Sequence, residues 1–310
     1  MNISVIIPVK NGATTLARCL ESIRCQQYQN QIEILVLDSG STDSSVQIAV
    51  SYGAKVFEID PTHFNHGLTR NHGVKLAQGD LLFFTVQDAR LSDSKILENM
   101  SKWFDDQTIM GVSGHQAVPH EIDKNPILWF KRFTEPVPDI RQYVHNKSMP
   151  SYSWDNVISM YRKVSLENLP FEKTITGEDW IWAFNALIKG WKLVYDPSLV
   201  VYHYHHRAFL YVFKLEYGLY YTFYKKFNTV PSWPGWLLKN SKMVYHISRN
   251  KILSLNEKIF WISHNFSANT SHALAHLLFR MGLFIDKNQI TYWLYLKICG
   301  TLPQGQQNKI

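Results

Sequence analysis

The amino-terminal part of the chain alternates short apolar runs with amphipathic stretches. The runs Ser4 to Val9, Glu33 to Leu37, Lys55 to Ile59 and Leu81 to Val86 are rich in Val, Ile, Leu and Phe, which predicts buried strands. Between them, Thr14 to Cys25, Asp43 to Ser51 and Thr69 to Ala77 have helix-like patterning. Strand and helix alternating in this way predict an α/β fold with a parallel, doubly wound sheet. Pro8 and Asn11 mark the end of the first run, Asp38 the second, Asp60 the third, and Gln87 and Asp88 the fourth. Open α/β sheets bind ligands outside the carboxyl ends of their strands, so these residues are expected to converge on one rim.

The pattern changes in the second half. Asp155 to Arg162 reads as a strand, and Gly177-Glu178-Asp179 opens a strongly apolar helix, Trp180 to Ile188, ended by Gly190. Lys192 to Pro197 and Leu199 to Tyr202 read as short strands leading to His203-Tyr204-His205-His206. Beyond Arg207 the chain looks mostly helical and aromatic. Two regions are expected, residues 1 to 206 and 207 to 310.

Charge sharpens that division. Residues 1 to 206 hold 19 Lys and Arg against 22 Asp and Glu, a net of −3, whereas residues 207 to 310 hold 13 against 3, a net of +10. No run in the basic region reaches the ~20 uninterrupted apolar residues of a membrane span. A basic, aromatic surface instead suits an anionic membrane leaflet, at about 1 kcal/mol per nearby Lys or Arg; a helical cap with a solvated basic face explains it as well. No nucleic-acid-binding motif accompanies the charge, so no nucleic-acid partner is expected. Asn2 to Pro8 already read as a buried strand without the features of a secretory signal, which predicts a cytoplasmic protein. Cys19, Cys25 and Cys299 are too few and scattered for a disulfide framework or a cysteine-based zinc site.

The sequence contains neither a Gly-x-Gly-x-x-Gly after the first strand nor a P-loop, so dinucleotide and P-loop readings lose support. Phe64 to Asn71 instead offers a basic, amide-rich loop with Asn65, His66 and Arg70, ahead of Gln87-Asp88-Ala89, and reads as a nucleotide or metal-phosphate site. Asp88 taken alone reads equally well as the cap of a helix at Ser92 to Phe104. Ser39 to Asp43 form a turn into a helix that could face an anion or simply cap it. Glu178 and Asp179, on the first turn of a helix with Trp180 and Trp182 alongside, could supply a general base or merely complement the helix dipole. Arg70 and Arg162 could each clamp a phosphate, or serve as surface ion-pair partners.

Taken together, Val5 to Gly12, Val36 to Asp43, Gln87-Asp88-Ala89 and Gly177 to Trp180 ahead of Val201 to His205 resemble glycosyltransferase family 2. Phe64 to Gly67 with Arg70-Asn71 and Gln-Asp-Ala resemble its bacterial rhamnosyltransferase branch. The resemblance implies the GT-A fold, a doubly wound mixed sheet, here with a mostly helical C-terminal region. It implies inverting transfer of L-rhamnose from dTDP-L-rhamnose to a lipid-linked saccharide acceptor in surface polysaccharide (O-antigen or capsule) synthesis, at the inner face of the membrane. By the same resemblance Asp38 would bind the nucleobase, Pro8, Asn11 and Arg70 would line the nucleotide pocket, and Asp179 would be the base. Asp88 would hold Mg2+ or Mn2+, and His203 either joins that shell or is an ordinary strand-end histidine. His205, His206 and Arg207 would lie near the diphosphate. One feature departs from the family: the Asp-x-Asp of many members is Val86-Gln87-Asp88 here, so Gln87 would instead donate to the donor sugar or phosphate. A UDP-sugar donor, or a non-catalytic nucleotide-sugar-binding subunit, are the alternatives.

Overall fold

The computed structural model describes residues 1–117, 139–142, 154–203, 208–230, 232–233, 235–285 and 289–299. The chain divides into two compact units, the first ending its described residues at His203 and the second beginning them at Ala208.

The first unit is built on a mixed sheet. Strands β1 (Ile3–Val9), β2 (Ile32–Asp38), β3 (Lys55–Glu58) and β4 (Leu81–Phe84) run parallel in the spatial order β3-β2-β1-β4. Helices α1 (Leu16–Arg24), α2 (Ser45–Ser51) and α3 (His66–Leu76) connect them. Along β1, Ile3, Val5, Ile7 and Val9 enter one apolar core while Ile6 enters the other; β4 divides the same way, with Leu81 and Phe83 against Leu82 and Phe84. Side chains on a strand alternate faces, so a sheet covered on both sides reads as the unbroken apolar runs seen in the sequence.

The remaining strands make the sheet mixed. They are β5 (Arg90–Leu91), β6 (Ile109–Ala117), β7 (Asp139–Gln142), β8 (Ser159–Arg162) and β9 (Lys192–Tyr202). Strand β8 pairs antiparallel with both β4 and β6, and β9 runs parallel to β6. Both β5 and β7 add antiparallel to β9. The two short strands expected around Pro197 are one strand, and only the last four residues of the expected 155–162 strand are extended in the sheet. Helices α4 (Ile96–Lys102), α5 (Lys163–Asn168) and α6 (Glu178–Ile188) complete this unit.

This topology decides what shares an edge. Because β8 is antiparallel to β4, the residues that follow β4 lie beside those that precede β8, and Thr85 Oγ1 donates to the Val157 carbonyl at 3.0 Å. Strands β6 and β9 both end at the same rim, where His203 N donates to the Ala117 carbonyl at 3.1 Å. The loops after β1, β2, β4 and β9 and the turn before β8 therefore meet on one edge.

The second unit is helical: α7 (Phe209–Phe227), α8 (Trp236–Arg249), α9 (Leu255–Ile285) and α10 (Gln289–Cys299). Tyr217 and Tyr220 on α7 are buried and pack against Phe279 of α9. Part of the aromatic series after Arg207 is thus the core of this unit. All three cysteines are free, Cys19 and Cys299 buried and Cys25 exposed.

Candidate active site

The loops after β1 and β2 are bonded into one structure. Asn11 has a left-handed backbone (φ 49°), a conformation Asn tolerates better than most residues. Its Oδ1 accepts from Thr42 N at 2.8 Å, while its own N donates to Ser41 Oγ at 2.9 Å. The next two amides follow the same course, Gly12 N donating to Ser45 Oγ at 2.7 Å and Ala13 N to Asp43 Oδ2 at 3.0 Å. Asp38, buried at the end of β2, accepts from Gly40 N and Ser41 N through Oδ2 and from Ser41 Oγ through Oδ1. Asp38 thus shapes the Ser39 to Asp43 turn, and Pro8 stands beside it at the end of β1, paired with Leu37.

After β4, Gln87 is buried and its amide copies a strand pairing. Lys10 N donates to Gln87 Oε1 at 2.8 Å, and Gln87 Nε2 donates to the Lys10 carbonyl at 3.2 Å. A Cβ at Gly12 would stand 2.8 Å from Gln87 Oε1, so glycine admits this contact. The amide thus fastens the β1 loop to the β4 end.

Asp88 is not the cap of the following helix, which begins only at Ile96 with Lys95 as its cap residue. Its Oδ1 lies 3.6 Å from His203 Nε2, and the two side chains are 13% and 11% exposed. That is beyond ordinary hydrogen-bond length. Adjacent ligands held at about 2.1 Å around one octahedral cation stand about 3.0 Å apart, so these two side chains would close by roughly 0.6 Å to share a divalent cation. Among the described residues no three His, Cys, Asp or Glu side chains converge, so such an ion would complete its shell from water or ligand oxygens.

The expected loop at Phe64 to Asn71 is mostly the first turns of α3. Asn65 is its N-cap, accepting from Leu68 N at 3.2 Å and donating from Nδ2 to the Thr174 carbonyl at 2.6 Å. His66 packs edge-on against Phe64, and burial, aided by the charge of Arg70, drives its pKa down to about 3. Arg70 is buried and its Nη1 donates to Glu178 Oε1 at 2.5 Å, with both side chains about 5% exposed. A Cβ at Gly67 would meet the Glu172 carbonyl at 2.5 Å and Glu178 Cβ at 3.4 Å, so a glycine lets α3 approach the start of α6 this closely.

Glu178 and Asp179, adjacent in sequence, have different environments. Glu178 is neutralised by Arg70. Asp179 is half-buried, accepts from Asn156 N at 3.0 Å and Trp180 N at 2.8 Å, and has its pKa pushed up to about 7 by burial and by Glu178, against the opposing charge of Arg70. A carboxyl titrating near neutrality suits a general base. Of the two flanking indoles, Trp182 is core, donating to the Leu169 carbonyl and packing on Tyr161, whereas Trp180 is half-buried and stacks on Phe184.

Two expectations require correction. Arg162 is not at the rim: it ends β8 opposite Leu81, the first residue of β4, and its guanidinium binds the carbonyls of Phe104, Ile109 and Asp106. Antiparallel pairing carries the far end of β8 away from the site. Glu178 is not an available base, because its charge is held in the ion pair. His205, His206 and Arg207 lie outside the described residues. Sequence reasoning did not single out Gln116, Asp155 or Asn156, which border Asp179 and His203; only the tertiary fold brings them there.

The ion pair has a measurable consequence. Arg70→Ala strands a buried carboxylate and should cost about 3–5 kcal/mol, while Arg70→Met combined with Glu178→Gln should cost less than Arg70→Ala. Urea unfolding of the three proteins checks the order.

Comparison with known proteins agrees with this architecture. Residues 4–167 match the description "Glycosyl transferase family 2". An O-antigen chain rhamnosyltransferase of Salmonella typhimurium is 32% identical over 213 residues, covering 66% of this chain and 67% of the relative. A second, from Salmonella anatum, is 32% identical over 211 residues, covering 65% and 66%. Among solved structures, a mannosyltransferase from Pyrobaculum calidifontis in complex with GDP-Man and Mn2+ aligns with a TM-score of 0.58 at 16% identity, covering 97% of this chain and 84% of that one. S. aureus TarS residues 1–349 align at 0.55 and 16%, covering 100% and 93%. At that identity the structures speak for the fold, which is GT-A-like. The family match across more than half the chain and the sequence relatives go further: this chain belongs to glycosyltransferase family 2 and is a glycosyltransferase.

Proposed function

We propose that this enzyme transfers L-rhamnose from dTDP-L-rhamnose, with inversion, to a saccharide carried on a lipid, in the synthesis of a bacterial surface polysaccharide. The reaction type rests on one observation above the others: Asp179, on the first turn of α6, is poised near neutral pH while its neighbour is locked in an ion pair. The donor rests on the 32% identity to two O-antigen chain rhamnosyltransferases.

In this reading Asp179 takes the proton of the acceptor hydroxyl as its oxygen attacks the anomeric carbon. The bond from that carbon to the diphosphate breaks, and the electron pair leaves with dTDP. Attack from the opposite face turns a β-linked donor into an α-L-rhamnoside. Pro8, Asn11 and Asp38 form the nucleoside side of the pocket, held rigid by the bonds between the β1 and β2 loops; preorganisation of this kind lowers the entropy cost of a productive geometry. Asp88 and His203 would hold Mg2+ or Mn2+, which neutralises charge on the departing diphosphate.

The second unit supports a membrane-surface acceptor. On α9, Leu255, Ile259, Phe266, Leu277, Met281 and Phe284 recur on one side at the helical period and are all exposed, Phe284 at 94%. Exposed apolar surface on this scale marks an interaction site. Combined with the +10 charge of residues 207–310, it fits an anionic leaflet. Among the described residues no helix is long and apolar enough to cross a membrane.

Three outcomes are expected. Asp179→Asn should lower transfer by at least ~10²-fold while dTDP binding persists, and the wild-type rate should rise with pH through about 7 as Asp179 loses its proton. Full activity in the variant would remove Asp179 from the role of base. In thermal-shift assays dTDP and dTDP-rhamnose should stabilise the protein, by about 2.7 kcal/mol at a hundredfold excess over Kd; stabilisation by UDP-sugars alone would refute the rhamnose donor. Sedimentation with vesicles should show binding to phosphatidylglycerol-containing but not neutral bilayers, weakened by salt and by Leu277→Glu with Phe284→Glu. Equal sedimentation with both vesicle types would sink the leaflet reading.

A further inference from the structure

Three adjacent strands, in the order β8-β6-β9, bring a polar chain together at the rim. Asp155 lies just before β8, Gln116 near the end of β6, and His203 just after β9. Gln116 Nε2 donates to Asp155 Oδ2 at 2.5 Å, and Gln116 Oε1 lies 2.9 Å from His203 Nδ1. Asp155 is anchored in turn, its Oδ1 accepting from Val157 N at 2.9 Å and its carbonyl from Ser159 Oγ at 2.5 Å.

We propose that Gln116 and Asp155 are positioning residues that fix His203 in the tautomer whose Nε2 lone pair faces Asp88, preparing the pair for a divalent cation. This rests on the reading of Asp88 and His203 as cation ligands. The direction of each hydrogen bond follows from donor chemistry. An ionised carboxylate only accepts, so the amide nitrogen of Gln116 faces Asp155 and its oxygen faces the imidazole. An amide oxygen only accepts, so the hydrogen of neutral His203 sits on Nδ1 and Nε2 carries the lone pair. Burial and the charge of Asp179 raise the Asp155 pKa only to about 6, so it is ionised at neutral pH.

The arrangement does more than orient a ring. The peptide after Asp155 donates from Asn156 N to Asp179 Oδ2, so a single turn holds both the histidine's support and the base. Acid, amide and imidazole form an unbroken line from the base to the cation pair. Outer partners of this kind are worth about 10- to 100-fold in metal affinity.

The test uses the full chain with 15N-labelled histidine, His203 being assigned from the resonance lost in His203→Gln. Long-range 15N–1H spectra without metal should show His203 as the Nδ1–H tautomer in the wild type, moving toward Nε2–H in Gln116→Leu. An Nε2–H wild type overturns the proposal. With MnCl2 as the only ligand, electron paramagnetic resonance should give a Kd about 10- to 100-fold weaker in Gln116→Leu than in the wild type. Gln116→Glu, which keeps an acceptor on Nδ1 and holds Asp155 through one proton shared between the two carboxyls, should retain most of the affinity. Equal Mn2+ affinity in wild type and a folded Gln116→Leu overturns the role; should Gln116→Leu fail to fold, the wild-type tautomer and Gln116→Glu decide it. No Mn2+ uptake by the wild type overturns the cation reading itself, and an intact Nδ1–H tautomer distinguishes that failure from the first.

Discussion

The buried ion pair between Arg70 and Glu178 is the constraint on which the rim of strand ends depends. A lone carboxylate in that position would be costly, and a guanidinium alone more so; together they are tolerated because each satisfies the other in a site about 5% exposed. The pair ties α3 to the first turn of α6. It also divides the labour of two neighbouring acids: Glu178 is neutralised, while its residual negative field and the burial around Asp179 bring the latter to a pKa near neutrality.

Around that pair the rim is stiffened by side chains that imitate backbone. Gln87 continues the β1 and β4 pairing where the strands have already parted, Asn11 and Ser41 stitch two loops together, and Asp38 closes its own turn. Loops with their polar groups satisfied in this way hold a ligand-binding shape before any ligand arrives, which reduces the ordering cost of binding.

The two units present different chemistry. The sheet unit is slightly acidic and gathers the loops after several strands on one rim. The helical unit is strongly basic, buries several of its tyrosines in its own core, and leaves an apolar side of α9 exposed.

Much of this was legible in the sequence because it depends on local pattern. The apolar runs became strands β1 to β4, since a sheet buried on both faces needs continuous apolar residues, and the polar residues after the first, second and fourth runs lie on one shared edge. Family resemblance on short motifs identified the fold and the reaction class. What the sequence could not decide was pairing over long separations. Glu178 and Asp179 are interchangeable as letters, and only Arg70, 108 residues away, distinguishes them. Arg162 looked like a phosphate clamp until the antiparallel course of β8 placed it at the far edge. Asn65 and Arg70 read as ligand contacts until α3 used one as its cap and the other as an ion-pair partner. Gln116 and Asp155 carried no signal at all, because their roles exist only where three strands end side by side. Local periodicity sets which elements form; the free energy of burying charge, and the register that brings distant strand ends together, set which residues in them do chemistry.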